Sequence, residues 1–230
     1  MTEQKAQETQ ISDKTQISKK TIVVLVSGNG SNLQAIIDDI TQQRINAKIT
    51  AVIANQGSAY GLVRAENAGI PALFIDHKSF SSREEYDTNL ALCIDKYNPD
   101  LIVLAGFMRI FTPTFVEHFQ GRMLNIHPSL LPKYKGLHTH QRSIDAGDDE
   151  HGASVHFVTP ELDGGPVVLQ SKVPVFEQQD AQELAERVQQ QERQMYPLVI
   201  KWFCEDRLKM CHNKAVLDNQ ILAEGGYAIG

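Results

Sequence analysis

Apolar residues fall in short continuous runs, separated by segments in which they recur at helical spacing. Residues 21–26, Thr-Ile-Val-Val-Leu-Val, are an unbroken β-branched run, which predicts a strand buried on both faces. Ser-Gly-Asn-Gly at 27–30 breaks it, and 31–37 has helical character. The alternation repeats: strands at 48–53 and 71–75 flank a helix at 59–68 closed by Gly69. Residues 82–97 predict a further helix, with Tyr86, Leu90, Ile94 and Tyr97 at spacings of four and three. Buried strands follow at 100–105 and 122–126. Strands alternating with helices predict an α/β fold, a doubly wound and mostly parallel sheet with helices on both faces. After about residue 150 the pattern changes. Runs at 153–158 and 167–173 flank Leu-Asp-Gly-Gly-Pro at 162–166, a tight return between antiparallel strands. A long helix is expected over 181–203, then short strand-like pieces near 215–217 and 220–222. The C-terminal part is therefore expected to be antiparallel.

Residues 1–20 are rich in Gln, Thr, Lys and Glu, with isolated Ile11 and Ile17. Such a segment buries too little apolar surface to offset its ordering, so a disordered extension is expected, followed by a single domain over 21–230. Glu3, Glu8 and Asp13 argue against a transit peptide, and no apolar run suits a secretory signal. No stretch approaches a membrane span. A net charge of −6 disfavours a broad nucleic-acid surface while leaving room for a local anion pocket. Three cysteines in no metal-binding spacing read as reduced thiols. The expectation is a cytoplasmic protein with small-molecule partners, no nucleic acid and no membrane, as a monomer or homodimer.

In parallel sheets, ligands sit beyond the carboxyl ends of the strands. That rule selects 27–32, 106–111 and 125–132. Gly28 and Gly30 in the first segment allow close backbone approach, and Ser31 or Asn32 is suited to cap the helix that follows. The turn serves equally as a phosphate cradle or as a plain strand-to-helix connection; it is neither a Walker loop nor GxGxxG, because Leu33 stands at the third glycine position. Asn125 and His127 lie two apart at a strand end, so alternation puts both on one sheet face, and Pro128 stops the strand. An amide and an imidazole together suit a developing oxyanion; a strand-end histidine bonded to a carbonyl is the plain alternative. Asp163 before Gly164-Gly165 reads locally as a turn residue. His138, His140, His151 and His156 match no metal-ligand spacing; the first two are expected in a polar loop and His156 in a strand.

Five segments then fall into one pattern: Ser27-Gly-Asn-Gly-Ser-Asn-Leu33, Ala105-Gly-Phe-Met-Arg-Ile110, Asn125-Ile-His-Pro-Ser-Leu-Leu-Pro132, Gly136-Leu-His-Thr-His140 and Glu161-Leu-Asp-Gly-Gly-Pro166. In this order they resemble the phosphoribosylglycinamide formyltransferase family, and the similarity runs from about residue 21 to the C-terminus. The resemblance implies the formyltransferase fold and transfer of a formyl group from 10-formyltetrahydrofolate, as co-substrate, to a glycinamide amine, without a metal. It implies Asn125, His127 and Asp163 as the catalytic positions, with Asp163 holding His127 and favouring its cation. It implies Gly30, Ser31, Asn32 and Glu192 for the ribonucleotide. For the folate it implies Arg83, Met108, Arg109, Ile110, Phe111 and Asn125, with Thr159, Pro160, Glu161, Leu162 and Asp163. Locally, Met108, Ile110 and Phe111 read as core residues; a pterin slot reverses that. Two departures stand out. Phe111 replaces a common aliphatic residue. Lys135 stands where proline is expected, so a more mobile loop before Gly136 is expected. Relatives that formylate methionyl-tRNA carry a C-terminal domain, and relatives that hydrolyse the donor carry an N-terminal one; the segments flanking the core are expected to be too short for either.

Overall fold

The computed structural model describes residues 18–227. Most of the segment expected to be disordered, residues 1–17, lies outside that range. The first strand, β1 (Lys20–Val26), begins one residue before the expected boundary, and Lys20 Nζ lies 2.9 Å from Asp206 Oδ1. The chain continues through α1 (Ser31–Thr41), β2 (Ala47–Ala54), α2 (Tyr60–Asn67), β3 (Ala72–Phe74), α3 (Arg83–Asp95) and β4 (Leu101–Leu104). Then come α4 (Pro113–His118), β5 (Met123–His127), α5 (Thr139–Asp145), β6 (Glu150–Phe157), β7 (Val167–Pro174) and α6 (Ala181–Cys204). A small antiparallel sheet of β8 (Leu208–Cys211), β9 (Lys214–Leu217) and β10 (Gln220–Ile221) ends the described chain.

The main sheet has seven strands in the order β3-β2-β1-β4-β5-β6-β7. Pairing is parallel from β3 to β5 and antiparallel from β5 to β7. Strand alternation splits the core in two. Ile22, Val24 and Val26 of β1 face a layer with Leu33, Ile36, Val188 and Tyr196 from α1 and α6. Val23 and Leu25 face the other layer, with Tyr86, Leu90 and Ile94 from α3, Phe115 from α4 and Phe119 just after it. This is why β1 reads as uniformly apolar: both of its faces are covered.

Strand order reverses on either side of β1, because β2 lies on one flank and β4 on the other. The loops leaving β1 and β4 therefore diverge and open a crevice at their carboxyl ends. Tyr196 of α6 ties the back of this crevice. Its hydroxyl, fully buried, reaches the carbonyls of Leu104 at 3.1 Å, at the end of β4, and of Leu124 at 2.8 Å, within β5. One proton serves one of the two acceptors at a time.

Two helices were not expected. α4 has six residues and α5 seven, too short for an apolar period to stand out. Local chemistry starts α4: the Thr112 hydroxyl caps the Phe115 amide, with Pro113 in the first turn. His138 and His140, expected in a loop, instead sit at the N-cap of α5, with a left-handed φ of 58°, and within its first turn.

Candidate active site

A cavity of about 750 Å³ opens at the switch point, and the sequence-predicted residues line it with one exception. Arg83 starts α3 beside Asp87 and is not among the lining residues.

The turn after β1 forms one wall. Gly30 has a φ of 74°, and a Cβ there would come within 2.8 Å of Gly61 Cα, so only glycine fits. Neither Ser31 nor Asn32 caps α1: Gly30 is the N-cap and no side chain bonds the first turn. The expected cap is absent because Asn32 turns the other way. Its Nδ2 donates to Glu192 Oε2 at 2.8 Å, while its Oδ1 is buried without a partner. Burial pushes the Glu192 carboxyl up, and the Asn32 bond works against that shift. The helix start thus presents unclaimed backbone N–H groups, a positive dipole end suited to an anion.

The opposite wall is the segment after β4. Met108 and Ile110 are 68% and 52% exposed, so they are not core residues; their apolar surface faces open space. Phe111 behaves differently and is 7% exposed. Its ring stacks between Phe107 and Phe115, at centroid distances of 5.4 and 4.3 Å, so the departure from an aliphatic residue fills the layer beneath the wall. Arg109 lies over the Tyr86 ring at 4.7 Å, and its buried Nε has no partner.

Asn125 and His127 close the floor, both from β5 and both facing the cavity. His127 Nε2 lies 2.9 Å from the Tyr134 carbonyl. A carbonyl only accepts, so Nε2 carries a proton, and Nδ1 is the ring nitrogen turned the other way. Nδ1 faces Asp163 Oδ2 at 3.5 Å, with both side chains under 10% exposed. Asp163 therefore meets His127 across 36 residues, at ion-pair and not hydrogen-bond distance. Its Oδ2 also accepts the Gly136 amide at 2.9 Å. The turn holding it demands glycine: a Cβ on Gly165 would lie 1.8 Å from the Phe157 carbonyl.

His156 completes the floor; it lies in a strand, β6, as expected, but no sequence motif assigns it a role in the site. It stands directly opposite Asn125 across the β5–β6 ladder. Its Nδ1 lies 2.9 Å from the Phe157 carbonyl, so that nitrogen is protonated and Nε2 carries the lone pair. Nε2 then accepts from Asn125 Nδ2 at 3.1 Å. Burial holds this imidazole below the usual histidine range, which keeps it an acceptor. The Asn125 amide is thereby fixed with one N–H spent and the other free for the cavity. The available signal was cross-strand register, which no local motif carries.

Lys135 does not leave the loop before Gly136 untethered. Its Nζ lies 2.6 Å from Glu161 Oε1 and links that loop to the 159–163 segment, an exposed pair contributing about 0–1 kcal/mol. Among the described residues, no group of three or more His, Cys, Asp or Glu side chains is arranged to hold a metal. No helix there is long and apolar enough to cross a membrane.

Known proteins share this fold. The model of the formyl transferase family matches residues 20–200. The chain is 58% identical to phosphoribosylglycinamide formyltransferase of Escherichia coli over 207 residues, covering 90% of this chain and 98% of that protein. It is 53% identical to the enzyme of the same name from Haemophilus influenzae, covering 91% and 99%. The solved structure of the phosphoribosylglycinamide formyltransferase of Coxiella burnetii superposes with a TM-score of 0.88 at 49% identity, over 92% of this chain and all of that one. With a family model matched over most of its length and near-full-length relatives above half identity, the chain belongs to the formyl transferase family, in its phosphoribosylglycinamide formyltransferase branch.

Proposed function

We propose that the chain transfers the formyl group of 10-formyltetrahydrofolate to the glycinamide amine of 5'-phosphoribosylglycinamide. The products are N-formylglycinamide ribonucleotide and tetrahydrofolate, a step of de novo purine synthesis. The observation that carries the reading is one shared cavity: Asn125, His127 and Asp163 line it together with an uncapped helix start and the 106–111 segment, an arch that makes no backbone–backbone hydrogen bond outside the regular elements. The helix start suits the ribonucleotide phosphate, and Glu192 suits the ribose hydroxyls or the amine. The arch, with Met108 and Ile110, suits a flat heterocycle that needs both apolar contact and backbone donors and acceptors.

The chemistry follows from the proton positions. The neutral amine attacks the formyl carbon, and the carbonyl oxygen gains charge. The free N–H of Asn125 and the Nδ1–H of cationic His127 donate to that oxygen, and Asp163 balances the imidazolium. The attacking nitrogen gives up one proton, which passes through water to the folate nitrogen. That nitrogen leaves with the bonding pair, and the carbonyl re-forms. Proton transfers and oriented dipoles suffice, so the scheme calls on no metal. The reading carries with it small-molecule partners, a cytoplasmic setting, and a monomer or homodimer.

A competition assay tests it. Labelled 10-formyltetrahydrofolate is offered together with phosphoribosylglycinamide, methionyl-tRNA and water as acceptors. The label is expected in the formylglycinamide product. Preferential transfer to tRNA, or release as formate, would overturn the assignment.

A further inference from the structure

The donor-side wall is held in an unusual way. Among the described residues, no backbone group of 106–111 makes a backbone–backbone hydrogen bond outside the regular elements, and the segment belongs to none. From Met108 to Thr112 it forms an arch attached at its two ends by side chains from elsewhere. At one end the Met108 amide donates to Ser27 Oγ at 2.8 Å. At the other the Thr112 amide donates to Asp87 Oδ2 at 2.6 Å. Both clamping side chains are buried, Ser27 at 6% exposure and Asp87 at 2%.

Proton counting makes the Ser27 clamp specific. Its single hydroxyl proton goes to Asn55 Oδ1 at 2.7 Å, and Asn55 too is buried. The Oγ lone pair is then directed to Met108, and the Met108 amide supplies the only proton in that contact. Ser27 is also the first residue of the turn that ends at the uncapped start of α1. One hydroxyl thus joins the root of the acceptor-side turn to the donor-side arch.

We infer that Ser27 and Asp87 are positioning residues for the formyl donor, clamping the Met108–Thr112 arch so that its free backbone groups meet the heterocycle in register. The inference rests on the proposed reaction. Neither residue touches the reacting atoms. An arch with both ends fixed has its ordering cost met before the donor binds, which improves donor affinity without altering the chemical step.

Steady-state kinetics of Ser27→Ala and Asp87→Ala in the full chain give the test, with Ser27→Thr as the variant that restores a hydroxyl. Each alanine variant is expected to raise the KM for 10-formyltetrahydrofolate about tenfold, the effect of losing one buried hydrogen bond and orphaning its partner. Turnover at saturating donor should fall less than threefold. Asp87→Ala, on the donor side alone, should leave the KM for phosphoribosylglycinamide within twofold. Ser27→Thr should recover a donor KM within threefold of the parent. Unmoved donor KM in both alanine variants, or equal rises for donor and acceptor in Asp87→Ala, would overturn the clamp. If the parent chain itself failed to transfer formyl, the proposed reaction would fall instead. Amide hydrogen exchange of the unaltered protein decides the matter where a variant does not fold. The Met108 and Thr112 amides should be protected while those of Arg109 and Ile110 exchange quickly; equal rates would contradict the clamp.

Discussion

At the residue scale, proton placement does more than proximity. Tyr134 and Phe157 each offer a carbonyl that settles a histidine tautomer. His127 is left with Nδ1 toward Asp163, and His156 becomes an acceptor that orients Asn125. The sequence made part of this legible. Strand alternation alone puts Asn125 beside His127. Asp163 looks like a turn residue because it is one, with a left-handed φ of 45°; only its contact across the fold gives it a second role. Glu192 offers a test at this scale. Burial raises its folded carboxyl above the unfolded value, so the folded state holds its proton more tightly. Stability from this group is present below the unfolded pKa and is lost as pH rises through the folded one. Glu192→Gln has no such loss. Urea unfolding at pH 4.5 and 7 should show the parent losing ground to the variant as pH rises, while ribonucleotide affinity falls in the variant. A difference that ran the other way with pH would contradict the buried-carboxyl account.

At the element scale, α5 and α6 depend on polar contacts that hydrophobic period does not report. Tyr196 holds α6 to the last residue of β4 and to Leu124 in β5 through their carbonyls. Tyr196→Phe keeps the ring and removes one buried hydrogen bond, so a loss of about 0.5–1.5 kcal/mol is expected in urea unfolding. A change below a few tenths would show that the hydroxyl is dispensable. In α5, His140 Nδ1 lies 3.1 Å from His151 Nε2 of β6. Burial lowers both imidazoles; charge on His140 further disfavours charge on His151, which is brought down to about 4. For a base with a depressed folded pKa, stability is present above the unfolded value near 6.5 and is lost as pH falls toward the folded value. The α5 amides should therefore lose hydrogen-exchange protection between about pH 6.5 and 4, before those of α6 do. Simultaneous loss in both helices would remove the histidine pair as the cause. The two short helices were missed in the sequence for a physical reason: six or seven residues complete fewer than two turns, too few for an apolar period to show.

At the scale of the whole molecule, the site is where the topology puts it. Five parallel strands with β1 at the reversal point create one crevice, and the loops leaving β1, β4 and β5 all line it. That much follows from alternating apolar runs and the rule for ligands in parallel sheets. What the runs do not carry is the β5–β6 register. It brings His156 opposite Asn125, and the 159–163 turn that follows β6 carries Asp163 to His127. Long-range antiparallel pairing of this kind is set by the fold as a whole. The central claim is that this assembled floor performs the transfer while other parts of the cavity bind the ribonucleotide. The most direct measurement compares His127→Ala with the parent, in single-turnover formyl transfer and in equilibrium binding of phosphoribosylglycinamide. Transfer should fall about 10²–10⁴-fold, the range for losing a positioned proton donor, with ribonucleotide affinity held within a fewfold. Unchanged transfer in His127→Ala, or affinity lost in step with rate, would contradict the account.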